Sequence, residues 1–310
     1  MNYLRLSLIL ALSLPLTAQE VGTLTLVEGH PRLIRGATVL QGAEGVRLRK
    51  GDIIESSDPG FVQLEFAEGN IVALGASSRL FIFEYGSGGV RSAADGKAGV
   101  ADLILLRGWL KAEIGSHAVS YRLQSPLLAA VTRSGTFVLH ATPDTAEMFV
   151  EAGSGTVDEV RPDGNLGRSA QDAKAGQFFS RQSGKTIAAD SQLSQAFIDS
   201  MPRPFRDTLP PLLSHFEGKP VEPKRDHEVS YAEVEPWLTM GRAWRKGFVE
   251  RFRPRVSDAA FRKELEDHMS AHPEWDPILH PEKYAPKSQP AQDPGPSSAG
   301  YSKNETDRKN

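Results

Sequence analysis

Between residues 21 and 186 no stretch keeps a 3.6-residue apolar period for three turns, and short alternating runs stand in its place. Residues 21–27 alternate and stop at Glu28-Gly29, and residues 31–35 alternate and stop at Gly36. In residues 61–66 the period of two puts Phe61, Gln63 and Glu65 on one face and Val62, Leu64 and Phe66 on the other. Further runs follow at 71–74, 79–85, 103–106, 109–114, 119–123, 129–132, 136–140, 147–151 and 155–160, most of them punctuated by Gly, Asn, Ser or Asp-Pro. Many short strands with regular turn signals define an all-β domain, not a parallel sheet wrapped by helices. A curved β-sandwich and a β-helical roll share this alternation, so strand order stays open. Gly51-Asp52, Gly69-Asn70 and Gly135 are structural turn positions, where Gly reaches positive φ and Asp or Asn bonds its own backbone.

The pattern changes near Asp190. A short helical stripe of Leu193, Ala196, Phe197 and Met201 precedes Pro202, Pro204, Pro210 and Pro211, so residues 191–226 read as a proline-rich connection with short helices. Residues 227–284 read as a helical accessory region. Ser230 and Glu233 form a capping box before Val234, Trp237, Leu238, Trp244 and Phe248, with an interruption near Gly241. A second helix runs to Met269 behind Ser257 as its cap, burying Ala260, Phe261 and Leu265. Phe197, Phe205, Phe216, Trp237, Trp244 and Trp275 are the expected anchors to the β domain (19–190). Glycine-rich residues 86–99 and the connection 161–171 are expected to be mobile, and residues 285–310 disordered.

At the start, Arg5 precedes an apolar run over residues 6–16 that ends at Leu16-Thr17-Ala18, the layout of a secretory signal peptide over residues 1–18. The run falls short of the ~20 apolar residues a bilayer span needs, although an uncleaved anchor is the alternative. The expectation is export to the periplasm. Cysteine is absent, which removes disulfides, thiolate metal sites, a Cys nucleophile and a lipidated N-terminus. With 36 basic and 39 acidic residues the net charge is -3, and nothing global draws the chain to nucleic acid.

The order of short motifs is informative as a set. It runs Arg32-Leu33-Ile34-Arg35, Arg49-Lys50-Gly51-Asp52, Gly60-Phe61-Val62, Ser77-Ser78-Arg79-Leu80, Leu106-Arg107-Gly108, Gln124-Ser125-Pro126, Ser134-Gly135-Thr136 and Gly153-Ser154-Gly155. Over residues 21–160 this resembles the FecR-type domain of bacterial envelope proteins. The resemblance implies an all-β extracytoplasmic module with no catalytic residues to transfer. In the founding branch that module relays iron-uptake status across the inner membrane, behind a cytoplasmic sigma-binding segment and a transmembrane helix. Here the β pattern follows directly on the leader. The expectation is therefore a scaffold or ligand-binding member, or a periplasmic signalling component acting through a membrane partner, and not a direct regulator of a sigma factor.

Motifs of catalysis fail on inspection. Ser183-Gly184-Lys185-Thr186 ends like a phosphate loop, but Phe179 stands where the loop needs glycine. Gly153-Ser154-Gly155 lacks the rest of a dinucleotide fingerprint, and no Gly-x-Ser-x-Gly elbow occurs. His268, His272 and His280 lack the zinc signature, and His272-Pro273 falls at a helix end. The reading is of no enzyme, no metal, no nucleotide and no cofactor, with a cell-wall-acting enzyme as the remote alternative. One stretch points to binding. Residues 242–263 hold Arg242, Arg245, Lys246, Arg251, Arg253, Arg255, Arg262 and Lys263 against Glu250 and Asp258, with Trp244, Phe248 and Phe252 interleaved. Guanidinium forks beside aromatic faces suit a protein partner or an envelope polymer: peptidoglycan, lipopolysaccharide or a lipid surface. The bland alternative is a solvated face over buried aromatics.

Overall fold

The alternation folds as strands. A computed structural model describes residues 19–66, 68–86, 100–115 and 119–284, except for the side chain of Lys246, and it is mainly β with a smaller helical C-terminal region. The expected leader, the loop over residues 87–99 and the tail from residue 285 lie outside the described residues. The strands are β1 (Glu20–Glu28), β2 (Arg32–Arg35), β3 (Thr38–Gln41), β4 (Arg47–Arg49), β5 (Ile53–Glu55), β6 (Phe61–Phe66), β7 (Ile71–Leu74) and β8 (Arg79–Tyr85). They continue as β9 (Val100–Ile114), β10 (Ser120–Gln124), β11 (Leu128–Ala141), β12 (Thr145–Glu159), β13 (Gln171–Lys174), β14 (Phe178–Gln182), β15 (Ala188–Asp190) and β16 (Arg225–Glu228). The helices are α1 (Gln195–Ser200), α2 (Tyr231–Leu238), α3 (Arg242–Phe252), α4 (Ala259–Asp267) and α5 (Asp276–Leu279), joined by short 3-10 turns. No helix among the described residues is long and apolar enough to cross a membrane.

All 16 strands belong to one sheet, whose main path is β15-β14-β12-β11-β10-β9-β8-β5-β2-β3-β16. β1 joins β4 to β6, and β7 joins β6 to β9. Among the described strands the pairings are antiparallel except β9 with β10. The strands are also longer than the alternation suggests, because β9, β11 and β12 have 15, 14 and 15 residues. The runs 103–106 and 109–114 are one strand, and so are 129–132 and 136–140. Glycine at positive φ bends a ladder without ending it. At Gly108 (φ 94°) β9 changes partners, from β8 and β10 before the bend to β7 and β11 after it. That exchange folds the sheet over on itself around an apolar interior that includes Leu24, Leu64, Leu103, Tyr121, Phe137 and Phe179.

Gly135 (φ 130°) faces Gly153 across the ladder, and a Cβ there would meet the carbonyl oxygen of Ala152 at 2.4 Å. Gly135→Ala is therefore expected to cost about 1–3 kcal/mol of backbone strain, read as a lower denaturation midpoint at unchanged slope. A midpoint equal to that of the native chain would show that the ladder relaxes around the methyl group.

The outer face of the sheet is buried as well. β6 is buried at all of its positions, although one of its faces carries Gln63 and Glu65. The proline-rich segment crosses that face, where Phe197, Phe205 and Leu209 pack with Phe61, Trp109 and Phe178. The helices cover a separate patch: Trp237, Trp244, Phe248, Phe252, Phe261 and Trp275 meet Ile34, Ile53, Phe81 and Ile104. Of the expected anchors only Phe216 is not buried, being half-exposed. The sheet itself continues into the connection, because β16 pairs with β3 through His227 and Val39. Residues 161–167 are pinned, with Asp163 O accepting the Ala243 N–H at 2.8 Å. At α2 the Glu233 carboxylate accepts from the Ser230 N–H at 2.9 Å and from its hydroxyl at 2.8 Å. The cap of α4 is Asp258, which accepts the Phe261 N–H at 2.9 Å; Ser257 instead closes the preceding 3-10 turn by donating to Pro254 O.

Candidate functional site

Along α3 the spacing of four between Trp244, Phe248 and Phe252 builds one apolar stripe, and all three are buried. Trp244 is thus a core residue. Arg251 lies beside that stripe and is carried inward with it. Its guanidinium donates to three carbonyls of the sheet, Gly36 O at 2.8 Å, Ile34 O at 2.6 Å and Gly51 O at 2.5 Å. It sits 5.2–5.9 Å from the ring centres of Phe81, Phe248 and Phe252. Burial pulls its pKa down to about 10, partly offset by Asp52, so it stays charged at neutral pH. The turn that receives it is built by Gly51 (φ 88°) and by Asp52, whose carboxylate accepts from Arg35 at 2.7 and 3.0 Å and from the Arg49 N–H at 2.8 Å.

The basic stretch is divided between internal braces and solvent. Arg245 donates to Ala271 O at 2.8 Å and pairs with Glu274 at 2.8 Å. Arg255 donates to Val229 O at 2.8 Å, lies over Phe261 and pairs with Asp258 at 3.2 Å. Arg262 donates to Leu279 O, and Lys263 pairs with Asp267. Arg253 is exposed, 3.7 Å from Glu250. Arg242 is exposed without an ion pair among the described residues, and Lys246 has its backbone in α3. Arg242 and Arg245 line one pocket of about 440 Å³ with Val249, Glu250 and Glu274, whereas Arg251 and Arg255 are drawn inward onto backbone carbonyls.

Unspent chemistry collects instead in a groove of about 380 Å³ between α3 and the β4–β5 turn. Its floor is Phe81, Phe83, Trp244 and Phe248, and its rim includes Arg49 and Lys50. Gly247 opens its α3 wall, since a Cβ there would meet nothing within 4 Å. Lys50 pairs with Glu84 at 2.6 Å, whereas the buried Nε of Arg49 has no hydrogen-bond partner among the described residues. Sequence reading took Arg49 and Lys50 only as part of the Arg49-Lys50-Gly51-Asp52 motif and passed over Gly247. The adjacent turn signal at Gly51-Asp52 was legible, but the helix that closes over it comes some 200 positions later in the chain.

The remaining candidates are structural. Gly69 (φ 78°) turns the chain, and Asn70 is buried, donating to the Tyr121 hydroxyl at 2.8 Å and accepting the Gly115 N–H at 2.8 Å. Tyr85 joins Tyr121 at 2.9 Å and also bonds Glu68, and burial pushes both phenols up. His272 is buried with Nε2 3.0 Å from the Tyr231 hydroxyl, and desolvation holds its pKa below the usual imidazole range. The ring of His268 stacks on Tyr231. Among the described residues no group of three or more His, Cys, Asp or Glu side chains is placed to hold a metal ion.

Fold and groove together define a helix-capped, mainly β protein with an aromatic cleft edged by cations. No family model matches the chain, and no curated protein matches it. Two crystal structures of a candidate anti-sigma factor from Parabacteroides distasonis ATCC 8503 are similar over part of it. Their TM-scores are 0.36 and 0.37, at 10% and 12% identity. They match 45% and 48% of this chain, which in turn spans 59% and 64% of theirs, less than two thirds of their length. At that level no role passes from them to this chain.

Proposed function

We propose that the chain is an exported, non-catalytic binding protein of the bacterial cell envelope, built on a FecR-like β module, that docks a protein partner in the groove beneath α3. The observation that carries this reading is the groove itself: an aromatic floor beside Arg49, whose buried Nε has no hydrogen-bond partner among the described residues. Such a surface fits a partner segment that presents a carboxylate next to an aromatic or aliphatic side chain, since a desolvated charge pair and an apolar anchor reinforce each other. The secretory layout of residues 1–18 supports delivery to the periplasm, where such a partner would be a membrane or periplasmic protein. Regulation through that partner is the form of signalling compatible with this reading.

The test is capture from solubilised envelopes by the purified mature chain, followed by affinity measurement with the captured partner. Gly247→Trp, which fills the groove, and Arg49→Glu, which reverses its charge, should each weaken binding by at least about tenfold, or about 1.4 kcal/mol. Arg253→Glu, outside the groove, should leave it unchanged. Equal affinity for all of these proteins would remove the groove from the reading, and a product confined to the cytosol on fractionation would remove export. A second reading rests on the outward Arg242 and Arg253, which could meet an anionic envelope polymer. Retention on peptidoglycan sacculi or anionic vesicles that disappears in moderate salt would favour it.

A further inference from the structure

A further pocket lies away from the groove and shares no lining residue with it. It forms where the β5–β6 and β7–β8 connections are zipped together. Ser56 N–H donates to Ser78 O, and Ser77 N–H to Ser57 O, both at 3.0 Å. The Ser56 hydroxyl donates to Gly75 O at 2.5 Å, and the Ser78 hydroxyl donates to Trp109 O at 3.1 Å. The walls have no slack: a Cβ on Gly29 would meet Ser57 Oγ at 2.2 Å. Ser77 holds a left-handed backbone (φ 54°) that ordinarily falls to glycine, and its hydroxyl donates to Asp58 at 3.1 Å. Strain kept at a residue lining a preformed cavity is the usual mark of a site shaped for something other than stability.

The charges in this cavity do not balance. Arg32, Arg79 and Arg107 line it, with Glu55 as its carboxylate. Glu55 is 5% exposed and serves two guanidinium groups, Arg32 at 2.5 Å and Arg79 at 3.2 Å. Arg32 has a second carboxylate in Glu233 at 2.6 Å and Asp58 holds the Ser77 hydroxyl, but neither carboxylate lines the cavity, so among the lining residues three guanidinium groups face the single carboxylate of Glu55. Arg79 and Arg107 are direct cross-strand partners in the β8–β9 ladder, where like charges repel. Among the described residues Arg79 makes no side-chain hydrogen bond, and exposed Arg107 makes neither a hydrogen bond nor an ion pair. Desolvation, followed by the neighbouring Arg107 and Arg32, holds Arg79 below the usual guanidinium pKa in spite of Glu55. The cavity measures about 230 Å³, room for one small charged group and its waters.

We propose that this pocket is an oxyanion site in which Arg79 and Arg107 receive a single phosphate or carboxylate group. Arg32 and Glu55 act as positioning residues that hold the Arg79 fork, and the zipped serines fix the walls. One bound anion offsets the excess of guanidinium groups among the lining residues and supplies acceptors for Arg107, which has none among the described residues, and for the Arg79 nitrogens other than the Nε that faces Glu55. The assignment does not depend on the groove reading, and either can fail alone.

The experiment titrates the whole mature chain with inorganic phosphate and, separately, with acetate, each against chloride at matched ionic strength. Unfolding midpoint and the arginine Nε–H resonances are followed together. A saturable rise in midpoint with at least one oxyanion is expected, accompanied by shifts of the Arg79 and Arg107 Nε–H signals. A response to phosphate alone identifies a phosphate-bearing ligand, and a response to acetate alone a carboxylate. Arg107→Gln removes an exposed side chain, so it should fold as the native chain does in chloride and weaken the anion response at least about tenfold. Arg242→Gln should respond as the native chain does. The same saturable rise in Arg107→Gln, or titrations that leave the Arg79 and Arg107 signals of the native chain unmoved, would overturn the proposal whatever the stability of the variant.

Discussion

Lys111→Met is expected to release the proline-rich segment from the sheet at a cost of about 3–5 kcal/mol. Lys111 is fully buried in β9 on the outer face of the sheet. Its ammonium donates to Phe205 O and Asp207 O, both at 2.9 Å, and pairs with Glu151 at 3.0 Å and Glu113 at 3.5 Å. The same face completes the strap: Glu113 accepts the Leu209 N–H, Glu65 accepts those of Leu212 and Leu213, and Gln63 donates to Pro210 O. Proline cannot supply the donors for a strand ladder, so this stretch takes its partners from side chains instead. Methionine matches the length of lysine but leaves two carbonyls and the facing carboxylates without their shared donor. Denaturant titration should show the midpoint fall, and limited proteolysis should cut within residues 202–213. A loss below about 1 kcal/mol would mean that water replaces the ammonium, and the strap would then owe its place to Phe197, Phe205 and Leu209.

For Arg251→Met the expected result is a helical cap that opens while the sheet persists. Three carbonyls in the β2–β3 and β4–β5 region lose the donor that α3 supplies through Arg251, at a cost of about 1–3 kcal/mol for polar groups left unsatisfied. Hydrogen exchange should accelerate across α2, α3 and α4 and stay slow in β9, β11 and β12. Arg251→Lys should rescue only part of the protection, because an ammonium cannot reach three diverging carbonyls as a planar fork does. Unchanged exchange in Arg251→Met would show that Trp237, Trp244 and Phe248 hold the cap by packing alone. The groove is bounded by this cap, so the variant should also lose whatever the groove binds.

These two residues show where local sequence stops being readable. Alternation in residues 61–66 separated Val62, Leu64 and Phe66, which the fold places in the interior, from Phe61, Gln63 and Glu65. It could not show that Gln63 and Glu65 are buried too, because a polar face under solvent and one under a strap of backbone amides look alike in composition. The basic stretch suffers from the same ambiguity. Arg251 and Arg253 are two positions apart in a run of like charge, yet one is a core brace and the other is 61% exposed. Helical phase separates them, and the phase matters only once Phe81 is known to lie opposite. The groove and the arginine pocket were hidden for a related reason. Arg49 ends a strand and Lys50 begins the turn after it, Gly247 belongs to a helix, and Arg79 and Arg107 to different strands, so no spacing marks them.

What local order determined is the class of structure: period-two patterning and glycine-marked turns commit residues 20–190 to strands, and the capping box and the Trp244–Phe248–Phe252 spacing commit the later region to helices. These outcomes depend on contacts between neighbours along the chain. Tertiary structure alone decided how β9 exchanges partners at Gly108, which polar side chains are buried, and which cations remain to meet a ligand. Each of those depends on what a distant segment places opposite, and desolvation and charge pairing act through space whatever the separation along the chain.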